Sequence, residues 1–448
     1  MANSCFDIVF PAARGREVVC RFDGGDLTSD AGLLLVAEAD LKLGLTESMA
    51  GVISDGRQQG KVRHSVLEML RERIYAIAGG YEDANDLDIL GSDPALKTAC
   101  GRLAASDGAL ASQPTISRLE NALSERELLR MGIRIAKRVI ANLPADTKKV
   151  TLDVDDTEDP CHGQQELEFF NGYHGGHCYI PLYVHLTAED SRQWLLGALL
   201  RSGKSCATKG LLAALRIAVR LLRDRFPDVA ITVRGDSAFG IWDVMKFCEA
   251  MGLGYVLGLN RNKALDRLST PVQMDTALKY KYEGEGCREY GEFGYKANTW
   301  DGERRVIVKS EIPIDRDELN PRFVVTNLTQ MTPEEVYAFY CRRGNQENRI
   351  KEMKLDLASG RTSCHRFLAN QCRLLLHTAA CVLMGMLQEA LSGTRWAAAQ
   401  VGTIRLRLLK VGARIVETCR KIWFHLPSSY TEQEIWRHIR RRLAEGAG

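Results

Sequence analysis

Hydrophobic and polar positions change their period twice along this chain. Up to about residue 145, after a short extended start, apolar residues recur every three or four positions in "TSDAGLLLVAEADL", "RHSVLEMLRERIYAIAGG" and "SQPTISRLENALSERELLRMGIRIAKRVIANL". That period, with Ser, Thr or Asp near the segment starts, predicts capped amphipathic helices. From Lys148 the texture shifts. "KKVTLDVDDT", "CYIPLYVHLT" and "QWLLGALLRSG" predict three strands, and 206–223 a long helix. "DVAITVRGDSAFG" predicts an apolar strand ending at Asp236, "IWDVMKFCEAMG" a helix, and "LGYVLGLN" another strand.

Three strands, helix, strand, helix, strand is the order of a ribonuclease-H-like mixed sheet. The expected fold class is therefore α/β, with a ribonuclease-H-like core and an N-terminal helical domain. Between 260 and 330 the chain turns polar, aromatic and strand-rich ("KYKYEGEGCREYGEFGYKANTWDGERRVIVKSE", "RFVVTNL"), which reads as a β-rich insertion. The domains expected on this reading are a mainly helical 1–145, suited to DNA binding, a core 146–259, the insertion 260–330, a helical completion of the core 331–395, and a basic C-terminal region 396–448. In that last region "TIRLRLLKVGARIVETCRKIWFHLP" alternates arginines with apolar residues and suggests a hairpin with one basic face.

The stretch "YCRRGNQENRIKEMK" has helix-forming composition. At about 100° per residue, Tyr340, Arg343, Glu347, Lys351 and Lys354 fall within an arc of about 80°. Phe339, Ile350, Met353 and Leu357 form a narrower apolar stripe beside this polar seam. Asn345, Arg349, Glu352 and Asp356 take the solvent side. Taken alone, the seam reads first as i,i+4 salt bridges of Glu347 with Arg343 or Lys351, worth a few tenths of a kcal/mol.

Composition narrows the class. A chain of 448 residues, 45% hydrophobic, buries at least one large core in two or three folding units. No secretory pattern opens it, and "LLLHTAACVLMGMLQEAL" reads as a core helix broken by His377 and Gln388, so a cytoplasmic protein with no membrane span is expected. Thirteen cysteines without a CxxC pair fit reduced thiols. Cys161, His162, His174, His177 and Cys178 lack the usual spacing of zinc ligands. The net charge of +3 argues neither way about nucleic acid, but residues 401–448 carry ten Lys/Arg against four Glu, a local balance of 10 − 4 = +6. Such a patch suits phosphates, or is a solvated surface.

Strand alternation puts Asp153 and Asp155 on one face, and two carboxylates there repel unless a cation separates them. Asp236 closes the next apolar strand, at the crevice where open α/β sheets gather ligands. With Glu347 these acids make a hard oxygen set for Mg²⁺ or Mn²⁺, two such ions suiting in-line phosphodiester displacement.

Tyr340, two residues, Arg343, three residues, Glu347, six residues, Lys354 resembles the YREK signature of DDE transposases from bacterial insertion sequences. Further stretches, "LDVDDTEDPCHG", "FFNGYHGGHCYIPLY", "RGDSAFG", "GLNRN", "RFVVTNL" and "RLRLLKVGARIV", are similar to insertion-sequence family thirteen-eighty. The resemblance implies Asp155, Asp236 and Glu347 as catalytic metal ligands, with Asp153 a secondary candidate. It accounts for the spacing 347 − 236 = 111 by the insertion. It also implies DNA contacts from Tyr340, Arg343, Lys351 and Lys354, from basic Arg201, Lys204, Arg234 and Arg261 around the crevice, and base stacking by Trp300, for which a buried core position is the alternative. Cut-and-paste transposition through nicking, a hairpin end and strand transfer is implied, with double-stranded DNA (terminal inverted repeats and target) as partner and a homodimer on DNA. The rival readings are a catalytically idle DNA-binding derivative and a ribonuclease-H-like nuclease.

Overall fold

The computed structural model describes residues 7–189, 192–283, 286–314 and 318–445. The protein is a mixed α/β chain of two compact units. One comprises 1–50, 55–119 and 383–448, the other 51–54 and 120–382.

The first unit opens with strands β1 (Ile8–Ala13) and β2 (Arg16–Cys20), an antiparallel ribbon, and a short β3 (Leu27–Thr28). Helices α1 (Leu33–Leu43), α2 (Leu45–Ala50), α3 (Val66–Gly79), α4 (Leu87–Leu90) and α5 (Pro94–Ala99) follow. The starts are fixed chemically: the Ser65 side chain accepts from Glu68 N ahead of α3, and Asp93 accepts from Ala95 N and Leu96 N ahead of α5. Met69, Ala76, Leu87, Ala111 and Ile116 interlock as one core of this unit.

Helices α6 (Gln113–Ala122) and α7 (Glu125–Ala141) lead towards the central sheet, α7 entered through a capping box of Ser124 and Glu127. Strand β4 is Lys149–Asp156. Strands β5 (Asp159–Pro160), β6 (Phe169–Asn171) and β7 (Gly176–Tyr179) make a small side sheet. Then come β8 (Leu182–Ala188), β9 (Gln193–Leu199), α8 (Leu211–Arg225), β10 (Ala230–Gly235), α9 (Trp242–Ala250) and β11 (Gly254–Leu259). Strands β4, β8 and β9 pair antiparallel, whereas β10 runs parallel to both β4 and β11, giving the order β9-β8-β4-β10-β11.

The stretch 260–330 differs from its expected form. It begins with two helices, α10 (Lys263–Leu268), capped by Asn262, and α11 (Thr270–Glu283). The alternating "KYKYE" is the last turn of α11, because Ala, Leu, Lys and Glu outweigh the aromatic alternation. Strands β12 (Cys287–Tyr295), β13 (Arg304–Ile312) and β14 (Arg322–Thr326) do not close a sheet of their own; β14 pairs with β11, extending the central sheet to eight strands. Val256, Ile307 and Val324 from these strands pack under Val336 and Tyr337.

Helices α12 (Pro333–Cys341) and α13 (Gly344–Lys351) carry the polar seam, and 352–356 form a π-helical turn. The long α14 (Phe367–Ala390) is apolar enough to cross a membrane, but 83% of its most apolar window is buried, the mark of a core helix. The chain ends in α15 (Val401–Ile404), a second π-turn (405–409), the antiparallel pair β15 (Ala413–Glu417) and β16 (Ile422–His425), and α16 (Gln433–Ala444). The predicted C-terminal hairpin therefore starts only at Ala413; "TIRLRLL" is helical, with Ile404, Leu408 and Leu409 buried. Strand β15 also pairs with β3, Ala413 opposite Thr28, within the first unit.

Candidate active site

The site is built by one register. Parallel pairing of β4 with β10 sets Asp153 opposite Arg234 and Val154 opposite Gly235. One step further along the same ladder, Asp155 at the end of β4 comes beside Asp236, the first residue after β10. The loop after β10 lies tight on β11: a Cβ on Gly240 would stand 1.9 Å from Gly258 O, and one on Gly258 would stand 2.7 Å from Ser237 N and 2.8 Å from the Tyr340 hydroxyl. Only glycine at these positions lets Asp236 and Tyr340 share the sheet end.

Tyr340 and Glu347 do not ride one uninterrupted helix. Between α12 and α13 the backbone tightens to three-residue turns (Arg343 N to Tyr340 O, 3.0 Å; Gln346 N to Arg343 O, 2.8 Å), and at 352–356 it widens, Leu357 N reaching Glu352 O at 3.1 Å. Overwinding followed by underwinding leaves the seam near one side while bending its path. Ile350, Met353 and Leu357 are buried as the apolar stripe predicts, but Glu352, expected in solvent, is buried and ion-paired with Arg349 at 2.7 Å.

Arg343 is the hub. Its guanidinium donates to Asp155 at 3.0 Å and to Glu347 at 2.8 Å. Burial pushes the Asp155 carboxyl up to about 7, opposed by Arg343 and reinforced by the negative charge of Asp236. Burial likewise raises Tyr340, whose hydroxyl interacts with Arg343 and feels Asp236. Asp236 is partly exposed and accepts from Ala238 N at 2.9 Å. Glu347 is half-exposed.

Other expected site residues are placed differently. Asp153 is fully buried, gripped by Arg234 at 2.6 and 2.9 Å and by Gln193 at 2.7 Å, so its oxygens are spoken for within the protein. Arg234 is itself buried, donates to Phe339 O, and lies over the Phe339 ring, supporting the strand pair. Arg201 is also buried and donates to the carbonyls of Ile180 (2.8 Å), Cys206 (3.2 Å) and Ala207 (2.6 Å) and to Asp156. Trp300 is buried against Tyr295, the core position that was its alternative reading. Lys354 donates to Glu158 O at 2.9 Å and Thr157 Oγ1 at 3.3 Å, tying the π-turn to the residues just beyond β4. Lys351, Lys204 and Arg261 are exposed, Lys204 over the Phe169 ring and Arg261 paired with Asp266 at 2.8 Å. Of the cysteine–histidine stretch, His174 pairs with Glu158 at 3.1 Å and His177 lies 3.6 Å from Glu168.

Two residues that sequence reasoning passed over matter here. Asp156 joins the acid group, feels Asp236, and is anchored by Arg201; burial raises its carboxyl. Gln346 is fully buried and donates to Asp153 O and towards His185 Nδ1, both at 3.2 Å, locking α13 onto β4 and β8. The third acid of "DVDD" was a visible signal for Asp156; nothing local marks Gln346.

Among the described residues no three Asp, Glu, His or Cys side chains are gathered as a metal site. The donor chemistry nonetheless suits a hard divalent cation: Asp155 is a desolvated carboxyl beside a second carboxylate, a pair that gains from sharing positive charge, and Glu347 is one guanidinium away. The family model of transposase DDE domains, group 1, matches residues 10–447 of the chain. Among curated proteins none matches it.

Proposed function

The chain belongs to the family of transposase DDE domains, group 1, and on that premise we propose that it is a cut-and-paste DNA transposase whose catalytic acids are Asp155, Asp236 and Glu347. Members of this family are DNA-acting transposases that generally use divalent metal ions. The strand order β9-β8-β4-β10-β11, three antiparallel strands followed by two parallel ones, supports reading the core as ribonuclease-H-like. The observation that carries the assignment is Arg343: it bonds both Asp155 and Glu347, drawing together acids from two distant segments, while the β4–β10 register brings Asp236 alongside.

In this reading Asp155 and Asp236 hold a divalent cation and Glu347 completes the set. When bound, Mg²⁺ or Mn²⁺ supplies Lewis-acid activation of the attacking oxygen and stabilises the leaving one. The protein's own groups do the rest. Arg343, a planar fork, exchanges part of its carboxylate pairing for phosphate oxygens when DNA arrives, holding the scissile group in line. Tyr340 stands beside it as a neutral hydrogen-bond partner. Asp153 with Arg234, and Asp156 with Arg201, fix the strand ends so that the reacting acids do not drift. Exposed Lys351, Lys204 and Arg261 take the flanking backbone. A nick, a hairpin end and strand transfer follow by resemblance to transposases with the same signature, on a dimer that holds two inverted-repeat ends.

A labelled DNA end carrying the element's inverted repeat, incubated with protein and Mg²⁺, tests the reading. Nicking followed by a hairpin supports it, nicking alone points to a nuclease, and a mobility shift without cleavage points to an idle binder. Glu347→Gln is expected to keep DNA affinity within about twofold and lower cleavage by about a thousandfold or more; cleavage retained by this variant removes Glu347 from the mechanism.

A further inference from the structure

Behind the helix that carries Glu347 the structure holds a polar recess of about 480 Å³, between α13 and the near ends of β4, β8 and β9. Of its eleven lining residues only Phe339 is apolar. Four are arginines (Arg192, Arg234, Arg342 and Arg349) and one is an acid, Glu189, a lining charge of 4 − 1 = +3. Asn345 and Asn348 add amide donors from α13. Sequence periodicity had put Asn345 and Arg349 in open solvent; the fold stands them over the sheet instead. Around α13 each lies about 160° from Glu347. None of Asp155, Asp236, Arg343 and Glu347 lines the recess, so a group held there is not the one at the catalytic acids.

Three of the four guanidiniums are already anchored. Arg234 is held by Asp153 at 2.6 and 2.9 Å, Arg349 by Glu352 at 2.7 Å, and Arg192 lies over the Trp194 ring, 5.7 Å from its centroid. A solvated cationic surface keeps its side chains mobile and loses their rotamer freedom on binding; here that ordering is done before a ligand arrives. Counting Asp153 and Glu352 as well, the cluster stays positive, 4 − 3 = +1. Such a lining repels a cation and offers an apolar group nothing. It matches a compact oxyanion, which planar guanidinium forks and amide N–H groups grip from several sides. An internal diester of nucleic acid has a single charge and belongs to a rod that cations follow along a surface. A phosphate monoester carries about 1.5 to 2 negative charges at pH 7 and ends its chain, so it enters a recess. We propose that this recess binds a phosphate monoester, carried by a small phosphorylated molecule or by the 5′ end of a DNA strand.

The inference rests on the recess and not on the catalytic reading, and its test needs neither metal nor cleavage. Calorimetric titration of the full chain with inorganic phosphate is expected to show a saturable site. Arg342 and Asn345 are exposed at its mouth, so Arg342→Gln and Asn345→Asp are expected to keep the wild-type thermal unfolding midpoint. Each should raise the phosphate dissociation constant by about tenfold or more, as should Asn348→Asp. Lys281→Gln, which removes an exposed cation on α11, leaves the constant within about twofold. Phosphate bound equally by wild type and by the Arg342→Gln and Asn345→Asp chains is an adventitious ion only and overturns the proposal, as does no binding at all. Displacement of phosphate by a short duplex with 5′-phosphates, and not by its 5′-hydroxyl counterpart, assigns the ligand to a DNA end. Displacement by neither duplex assigns it to a small phosphorylated molecule. Equal displacement by both makes the occupant an internal backbone phosphate and overturns the monoester.

Discussion

Arg343 shows what a single residue's position can hide. In the sequence it is one cation on a polar stripe, first an i,i+4 partner of Glu347 and only then a phosphate ligand. In the fold it is the Glu347 partner and also reaches Asp155, 188 residues away, and that second bond turns a local salt bridge into the joint of the site. Arg234 and Arg201 went the other way. Their burial was not legible, because it follows from partners that only the fold brings close, Asp153 81 residues from Arg234 and Asp156 45 residues from Arg201. A residue-scale consequence lies in the first unit. Glu72 is fully buried, accepts from Ala111 N at 3.0 Å through one oxygen, and its Oε1 meets no partner among the described residues; burial raises it to about 8. A raised acid adds stability that is full below its unfolded pKa near 4.5 and is lost as pH climbs through about 8. Glu72→Gln, which keeps the acceptor and cannot ionise, is expected to unfold near the wild-type temperature at pH 5. At pH 9 it should be the more stable by on the order of 3–5 kcal/mol, read from paired melting curves. A difference that does not grow with pH rules out an ionising Glu72.

At the scale of elements, the strands of the core were readable because their period of two and their acid-terminated ends are local signals. The helix carrying Glu347 was readable in existence and only partly in shape. The π-turn at 352–356 reflects Met353 and Leu357 seeking the core while Lys354 is pulled to the end of β4. Lys354 thereby belongs to the machinery that positions Asp155 and Asp156. Two readings of it separate cleanly. A phosphate contact predicts that Lys354→Met lowers the slope of log affinity against log salt by about one. A tether between π-turn and strand predicts an unchanged slope and a fall in cleavage of about tenfold to a hundredfold, since the acids lose their alignment. The second outcome is expected, measured by filter binding at several salt concentrations alongside single-turnover cleavage.

At the scale of the whole molecule, the C-terminal region corrects the simplest use of charge counting. Ten cations against four acids suggested a surface for phosphates, yet several are committed inside the first unit. Lys410 pairs with buried Asp30 at 2.7 Å and lies 3.7 Å over the Tyr81 ring, Arg405 donates to Ala78 O at 3.0 Å, and Arg440 meets Glu38 at 3.1 Å. Gly32 N donates to Leu409 O, and a Cβ on Gly32 would fall 2.2 Å from Leu408 O, so the end of the chain is fitted against its beginning at backbone contact. No local pattern announces a pairing of residues 30 and 410; it follows only when β15 joins β3. If the tail were a solvated cationic arm, Lys410→Met would change DNA affinity and nothing else. As an internal partner its loss strands the Asp30 carboxylate. The expected result is a destabilisation of about 2–4 kcal/mol in urea unfolding. Asp30→Asn in the same chain should recover a large part of that loss, since the buried charge is then gone. A double-mutant cycle whose terms simply add would return Lys410 to the solvent and the tail to the role its charge first suggested.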